Sequence, residues 1–308
     1  MREPQFDTII IGGSYAGLSA ALSLGRLSKQ VMIIDAGNPC NQTAPKSYNF
    51  LTQNGNIPKK ILEVARQQVL AYTGVNFRND QVIKLQGTDG DFEVFTKAGH
   101  SFSAKKVLFA TGVRDILPRI SGYSNCWGIS IVHCPYCHGY EFSGKTAAIY
   151  AVGESARQLV NLLSPMHPNL TLIGRNGDQD FEFGDKVKMI NQEISSIHHL
   201  NGQLSAVTFD NGNRLDIEVL YTDPNFEQHS DLPEAIGLKM TDKNLIYIGS
   251  NQQTSIAGIY ACGDCTSLMR SIASAVASGN LAGAIINKAL SEAYMTEVAG
   301  DKTSCLDK

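Results

Sequence analysis

The sequence predicts an α/β protein in which one strand–helix–strand unit opens the chain and a second of the same design is inserted further along. Three observations carry this. An apolar run, Thr8-Ile9-Ile10-Ile11, is followed by glycines 12, 13 and 17, an Ala- and Leu-rich stretch from Leu18 to Leu27, and a second apolar run, Val31 to Ile34, that ends on Asp35. Near the middle the order recurs: Thr146 to Tyr150, a turn with Gly153, Ala156 to Leu163, a break at Pro165 and Pro168, then Leu170 to Ile173. The spacings also agree, because the turn glycine precedes the end of the next strand by 35 − 12 = 23 residues in one copy and 175 − 153 = 22 in the other. Duplicated units of this kind make two dinucleotide-binding domains, three-layer ββα and Rossmann-like.

Each element follows from its residues. The four-residue apolar runs are rich in β-branched side chains and too short for helices, which suits buried parallel strands. Pro58 to Tyr72 predicts a helix with Ile61, Leu62, Ala65, Val69 and Leu70 on one face. Residues 80–109 alternate as a meander with turns at Asp89-Gly90 and Ala98-Gly99, and residues 192–222 repeat that style with Asn201-Gly202 and Asn211-Gly212. Val107 to Gly112 and Gly258 to Asp264 read as strands running into turns. Ser271 to Ala293 reads as a helix despite Gly279 and Gly283.

The 308 residues suffice for about two domains at roughly 150 residues each. Apolar residues at 43% and charged ones at 18% can build cores. The net charge of −3 with no basic block argues against a nucleic-acid partner. No apolar run reaches the roughly 18 residues of a membrane span, and no signal peptide is expected ahead of the first strand. Seven cysteines, an odd and sparse count, argue against a disulfide scaffold and for a cytoplasmic location.

The turn Gly12-Gly13-Ser14-Tyr15-Ala16-Gly17 opens a helix, where backbone N–H groups can close on a pyrophosphate and the positive helix end stabilises it. Asp35 then accepts hydrogen bonds from ribose hydroxyls. Ser14 stands where the usual pattern has its middle glycine, a small departure.

His133-Cys134-Pro135-Tyr136-Cys137-His138 has four readings. It contains the glutaredoxin pair, but glutaredoxins carry that pair near the start of a small domain, and here it lies 134 − 112 = 22 residues past a strand end. Cys-x-x-Cys-His is also a haem-attachment string, which requires export. Two Cys flanked by two His suit zinc, yet the next Cys pair lies 262 − 137 = 125 residues on. The fourth reading is a redox dithiol, since thiols two residues apart form a strained disulfide. Cys262-Gly263-Asp264-Cys265 repeats the spacing at a strand end.

With Ala110-Thr111-Gly112, Gly263-Asp264 and Arg270-Ser271-Ile272 in this order, nearly the whole chain resembles the low-molecular-weight thioredoxin reductases, FAD-dependent pyridine nucleotide-disulfide oxidoreductases. The resemblance implies FAD held by Gly12, Gly13, Ser14, Ala16, Gly17, Asp35, Ala110, Thr111, Gly112, Gly263, Asp264, Ser271 and Ile272, with Asn49 at the flavin and Val82 at the adenine. It implies an FAD domain of residues 1–116 and 246–308 around an inserted NAD(P)H-binding-like domain, 117–245, that carries the redox pair. Cys137 would face the flavin and Cys134 attack the substrate. The family has an Asp after the second Cys; here His138 stands there, and Cys-x-x-Cys-His-Gly-Tyr-Glu, through Glu141, looks like the variant in gliotoxin-type dithiol oxidases. A histidine titrating near neutrality can move a thiol proton. The Gly-Asp of the second pair is assigned to FAD, so Cys262 and Cys265 are expected to be packing residues, and no metal is expected.

The second turn departs further from the family. Ala151 replaces its first glycine, Glu154 adds an acid beside Gly153 and Ser155, and Arg175 alone remains of a His-Arg-Arg run. One arginine with no acid favours NADPH over NADH. The leading expectation is a cytoplasmic, homodimeric reductase passing electrons from NADPH through FAD and Cys134–Cys137 to a thioredoxin-like protein or a small disulfide. The alternative is a dithiol oxidase using FAD and dioxygen, or a ferredoxin-linked reductase, without NADPH.

Overall fold

A computed structural model describes residues 5–174 and 187–304 and divides the chain into two compact units. The first comprises Met1–Cys40, Lys59–Arg114 and Glu227–Lys308; the second comprises Asn41–Pro58 and Asp115–Phe226. Both have the α/β architecture expected.

In the first unit the sheet runs Val75–Asn79, Val31–Asp35, Phe6–Ile11, Ser101–Phe109, Asp91–Thr96, Val82–Thr88, with Ile259–Ala261 also paired to Ser101–Phe109. The pairs among the first four strands, and that of Ile259–Ala261, are parallel; the two meander pairs are antiparallel. Ile9, Ile10 and Ile33 are fully buried, each contributing about 1.5–3 kcal/mol. Register sets the strand ends level: Ile11 and Ala261 both lie opposite Phe109. The turns after these three strands therefore open on one edge of the sheet, the edge where ligands of such folds bind.

The stretch after Phe226, assigned to the inserted domain on the sequence, packs with this first unit. Leu232, Leu238 and Ile246 share a core with Ile9, Val82 and Val107. Apolar burial, rather than distance along the chain, decides the grouping.

The second unit repeats the plan on a smaller scale. Its parallel sheet runs Val187–Asn191, Leu170–Gly174, Ala147–Tyr150, Val219–Thr222, Ile131–Val132. The helix after Ala147–Tyr150 spans Gly153–Leu163, so it begins at the turn glycine itself. A three-stranded antiparallel meander, Ile194–Leu200, Gln203–Phe209 and Arg214–Asp216, uses the two Asn-Gly turns expected.

Gly279 and Gly283 prove to be contact points. They lie one turn apart on the helix Ile272–Ser304, and a Cβ would fall 2.1 Å from the Ala16 carbonyl oxygen at Gly279 and 2.6 Å from that of Ala20 at Gly283. Glycine here lets the C-terminal helix lie directly on the backbone of the helix Tyr15–Gly25. Ser19 Oγ donates to the Val276 carbonyl at 2.7 Å, and Asn280 Nδ2 to Ser23 Oγ at 2.9 Å.

Gly279→Val is therefore expected to destabilise the fold by about 1–3 kcal/mol through overpacking. Leu281→Ala, at a position 42% exposed, should change stability by less than about 0.5 kcal/mol. Thermal melts of the two variants read this; equal melting curves would contradict the close helix contact.

Candidate functional site

The first glycine turn is built by backbone contacts that exclude side chains. Gly12 has φ +108°, and a Cβ there would sit 2.2 Å from the Ala110 carbonyl oxygen. A Cβ on Gly17 would sit 1.9 Å from the Gly12 carbonyl oxygen, so the helix can start against the strand end only with glycine at that position. Ser14 is the N-cap in extended geometry, its hydroxyl makes no capping bond, and the first turn carries no acid. Ala16 follows, buried. The helix thus presents its positive end with no carboxylate of its own, as a pyrophosphate requires.

Asp35 closes the same site from the neighbouring strand. Its Oδ1 accepts the Gly13 N–H at 3.0 Å, and its Oδ2 lies 3.8 Å from Arg66 Nη2. The Arg66 guanidinium stacks over Phe77 at 3.9 Å, and Phe77 also limits the space above Gly13. Asp35, Arg66 and Phe77 together make a polar ledge with an aromatic wall beside the turn. Val82 is buried at the start of its strand, paired with Thr96.

Ala110, Thr111 and Gly112 follow the central strand, Gly112 with φ +66°. Gly263 (φ +80°) follows the adjacent strand; a Cβ there would meet Ala16 Cβ at 2.9 Å, and its N–H donates to Ser278 Oγ at 3.0 Å. Asp264 Oδ2 lies 3.8 Å from Arg270 Nε and 3.9 Å from Cys40 Sγ. Ser271 Oγ accepts the Ser274 N–H at 3.1 Å at the start of the C-terminal helix, whose first residue is Ile272. Of the residues assigned to FAD, all but Asn49 thus lie in this unit. Asn49, left-handed at φ +54°, belongs to the second.

Cys262 and Cys265 are fully buried. Burial pushes the Cys262 thiol well above its ordinary range, and neighbouring Cys265 adds to it. Burial also pushes Cys265 up to about 11, against opposing hydrogen bonds from Gly112 and Thr111. Thiols held protonated in a dry core are poor nucleophiles.

The Cys134–Cys137 pair stands in a different environment. Cys134 is the N-cap of a short helix, Pro135–His138, with Pro135 at the first helical position. The Cys137 N–H donates to Cys134 Sγ at 3.2 Å, an arrangement that stabilises negative charge on that sulfur. Both cysteines are half-buried and Tyr136 between them is exposed. Gly139 ends the turn, since a Cβ there would meet the Pro135 carbonyl oxygen at 2.5 Å. His133 stacks on Trp127, 5.8 Å between centroids.

His138 follows the second cysteine directly. Burial pulls its imidazole below the ordinary histidine value, which keeps it neutral at pH 7 and able to accept a proton. The Tyr48 ring meets it edge-on, 6.0 Å between centroids at 88°. Glu141, in the next turn, raises the Tyr48 hydroxyl together with burial, and adds to the burial that raises Tyr221. Tyr48 comes from an irregular segment with no periodicity to read, so sequence reasoning passed over it.

The second glycine turn is equipped differently from the first. Tyr150 lies opposite Thr222, so the residues that follow, Ala151 and Asp223, emerge side by side. Ser155 Oγ donates to Asp223 Oδ2 at 2.6 Å. Glu154 occupies the first turn, paired with Arg157 (Nε–Oε2 2.7 Å) and bonded by Gln158. Gly153 has φ +58°. Two carboxylates and an engaged serine do not fit a dinucleotide pyrophosphate. Arg175 lies outside the described residues. Asp223 was also missed, although its place at the carboxyl end of a parallel strand is where ligand-facing residues sit.

Among the described residues no set of three His, Cys, Asp or Glu side chains gathers at metal-site spacing, and no helix is long and apolar enough to cross a membrane.

Comparison with known proteins agrees with this architecture. The family model described as pyridine nucleotide-disulphide oxidoreductase matches residues 6–160 and 180–279. Thioredoxin reductase tcpT of Claviceps purpurea is 29% identical over 295 residues, covering 90% of this chain and 92% of its own. Thioredoxin reductase sirT of Leptosphaeria maculans is 29% identical over 308 residues, covering 92% and 93%. The crystal structure of an oxidoreductase from Agrobacterium tumefaciens superposes with a TM-score of 0.84 at 31% identity, covering 93% of this chain and 99% of that one. With two Rossmann-like units, one carrying the glycine turn with no acid in its first helical turn and the other the half-buried cysteine pair, the chain belongs to the pyridine nucleotide-disulphide oxidoreductase family as a thioredoxin reductase-like flavoprotein disulfide oxidoreductase.

Proposed function

We propose that the chain uses FAD and the Cys134–Cys137 pair to reduce a disulfide on a thioredoxin-like protein or a small molecule, as a homodimer in the cytoplasm. The observation that carries this is Cys134 at the helix N-cap with the Cys137 N–H on its sulfur and neutral His138 beside the pair. FAD, when bound, supplies a two-electron store. Gly12, Gly13, Ser14, Ala16 and Gly17 would hold its pyrophosphate, and Asp35 its ribose. Ala110, Thr111, Gly112, Gly263, Asp264, Ser271 and Ile272 would line the rest, with Val82 at the adenine and Asn49 at the flavin. NADPH is the donor the family implies, but the two carboxylates and the engaged Ser155 at the second turn do not fit its pyrophosphate.

The chain's own steps balance as thiol–disulfide exchange. Two electrons reaching the Cys134–Cys137 disulfide cleave its S–S bond and leave two sulfurs that share the incoming protons. The neutral His138 imidazole takes a proton from the pair, and the Cys134 thiolate attacks one substrate sulfur. A mixed disulfide forms, and the departing substrate thiolate takes the proton back from His138. The Cys137 thiol then gives its proton to His138 and its sulfur attacks Cys134, so that the Cys134–substrate bond breaks, the second substrate thiolate takes that proton from His138, and the intramolecular disulfide is restored. The Tyr48 ring, edge-on to His138, positions the imidazole, and Glu141 acts on the Tyr48 hydroxyl.

Anaerobic photoreduction of the flavoprotein followed by a stoichiometric disulfide tests this. The wild type should reoxidise and release thiols, Cys134→Ser and Cys137→Ser should stay reduced, and Cys40→Ser should behave as wild type. Reoxidation of the two serine variants at the wild-type rate would refute the assignment.

His138→Asn is expected to slow thiol release about 10²-fold, the lower end of general acid–base contributions. The acid limb follows from its sign: the reactive form is neutral imidazole, so the rate rises with pH through a value below the ordinary 6.5 and is level above it. A pH–rate profile of the asparagine variant should lack that limb; an identical limb would remove His138 from the reaction.

A further inference from the structure

The two glycine turns share a backbone design and differ in charge, and that difference has a chemical reading of its own. A dinucleotide pyrophosphate binds at a helix start because first-turn N–H groups and a nearby hydroxyl point at it and the helix end is positive. In the second unit the hydroxyl is spent. Ser155 Oγ donates to Asp223 Oδ2 at 2.6 Å, a short charge-assisted bond. The strand register brings Asp223 level with Ala151, so its carboxylate stands at the mouth of the turn.

Of the two acids at this turn, Glu154 is compensated by Arg157, which contacts both carboxylate oxygens, and by Gln158. Both acids are exposed, but only Asp223 is bonded to the serine of the turn. The helix of the first unit has no acid in its first turn and no capping bond from its serine. In the first copy the neighbouring carboxylate, Asp35, takes the Gly13 N–H ahead of the helix, whereas in the second Asp223 takes the serine hydroxyl of the first helical turn itself.

We propose that Asp223 is a specificity determinant that stands in for the pyrophosphate, so that the second unit does not take NADPH or NADH. A resident carboxylate repels an incoming diphosphate and withholds the Ser155 hydroxyl from it. The inference concerns nucleotide binding and stands apart from the thiol chemistry of Cys134 and Cys137.

Equilibrium titration of the full-length flavoprotein with NADPH, and separately with NADH, tests it by calorimetry, with anaerobic bleaching of the flavin as a second readout. The wild type should show no saturable binding up to ~1 mM, the top of the ordinary KM range. Asp223→Asn and Asp223→Gly should bind NADPH at least tenfold more tightly than the wild type, and Asp223→Glu, which keeps the charge, should resemble the wild type. Micromolar binding by the wild type, or neutral variants that bind no better with an unchanged melting temperature, would overturn the proposal. Loss of disulfide exchange in the wild type would instead count against the thiol chemistry, because the titration does not depend on it.

Discussion

The molecule depends on a place where three stretches of backbone meet with no side chains between them. Gly12 lies against the Ala110 carbonyl, Gly17 against the Gly12 carbonyl, and Gly279 against the Ala16 carbonyl. The first strand, the helix it feeds, the central strand and the C-terminal helix are thereby locked within a single turn of one another. Because the contacts join residues from opposite ends of the sequence, they also close the first unit around the insertion. The floor of this turn is backbone, and close-packed backbone positions of this kind move little. Precision at the turn and closure of the unit have one cause.

Much of this was legible in the residues, and the reason is periodicity. Thr8 to Asp35 predicts strand, turn, helix and strand because short apolar runs and glycines alternate in an order few structures accommodate, and each element appears where expected. The meanders were legible because Asp-Gly and Asn-Gly turns have specific backbone demands. Gly279 and Gly283 looked like flaws in a helix, since a single sequence does not say what a helix lies against. The grouping of 227–245 was hidden for a similar reason: Leu232 and Leu238 join a core assembled from distant strands. Asp223 and Tyr48 act through neighbours more than 60 residues away in sequence, 223 − 155 = 68 and 138 − 48 = 90. No local pattern announces such partners.

The cysteines separate by environment rather than by motif. Cys262 and Cys265 have the same two-residue spacing as Cys134 and Cys137, yet the former are sealed in a core that keeps their protons on. The latter begin a short helix, half-exposed, with an N–H directed at one sulfur. The two glycine turns make the same point with charge in place of solvent. A scaffold used twice supplies positions, and the chemistry at each is set by a few side chains around it.

The segment Asn41–Pro58 groups with the second unit while the residues on both sides of it belong to the first. The backbone therefore passes between the units four times, at 40/41, 58/59, 114/115 and 226/227. The segment is knotted on itself, with Ser47 N–H bonded to the Asn56 carbonyl and Gly55 N–H to the Ser47 carbonyl, both at 2.8 Å, and its tip holds three left-handed residues, Asn49, Thr52 and Gly55. Its backbone is therefore bonded to itself at the point where the loop closes. Tyr48 thus meets His138 inside a single unit although two crossings of the chain enclose its segment, so the surroundings of the proton carrier are completed by a stretch that the chain delivers early and then leaves.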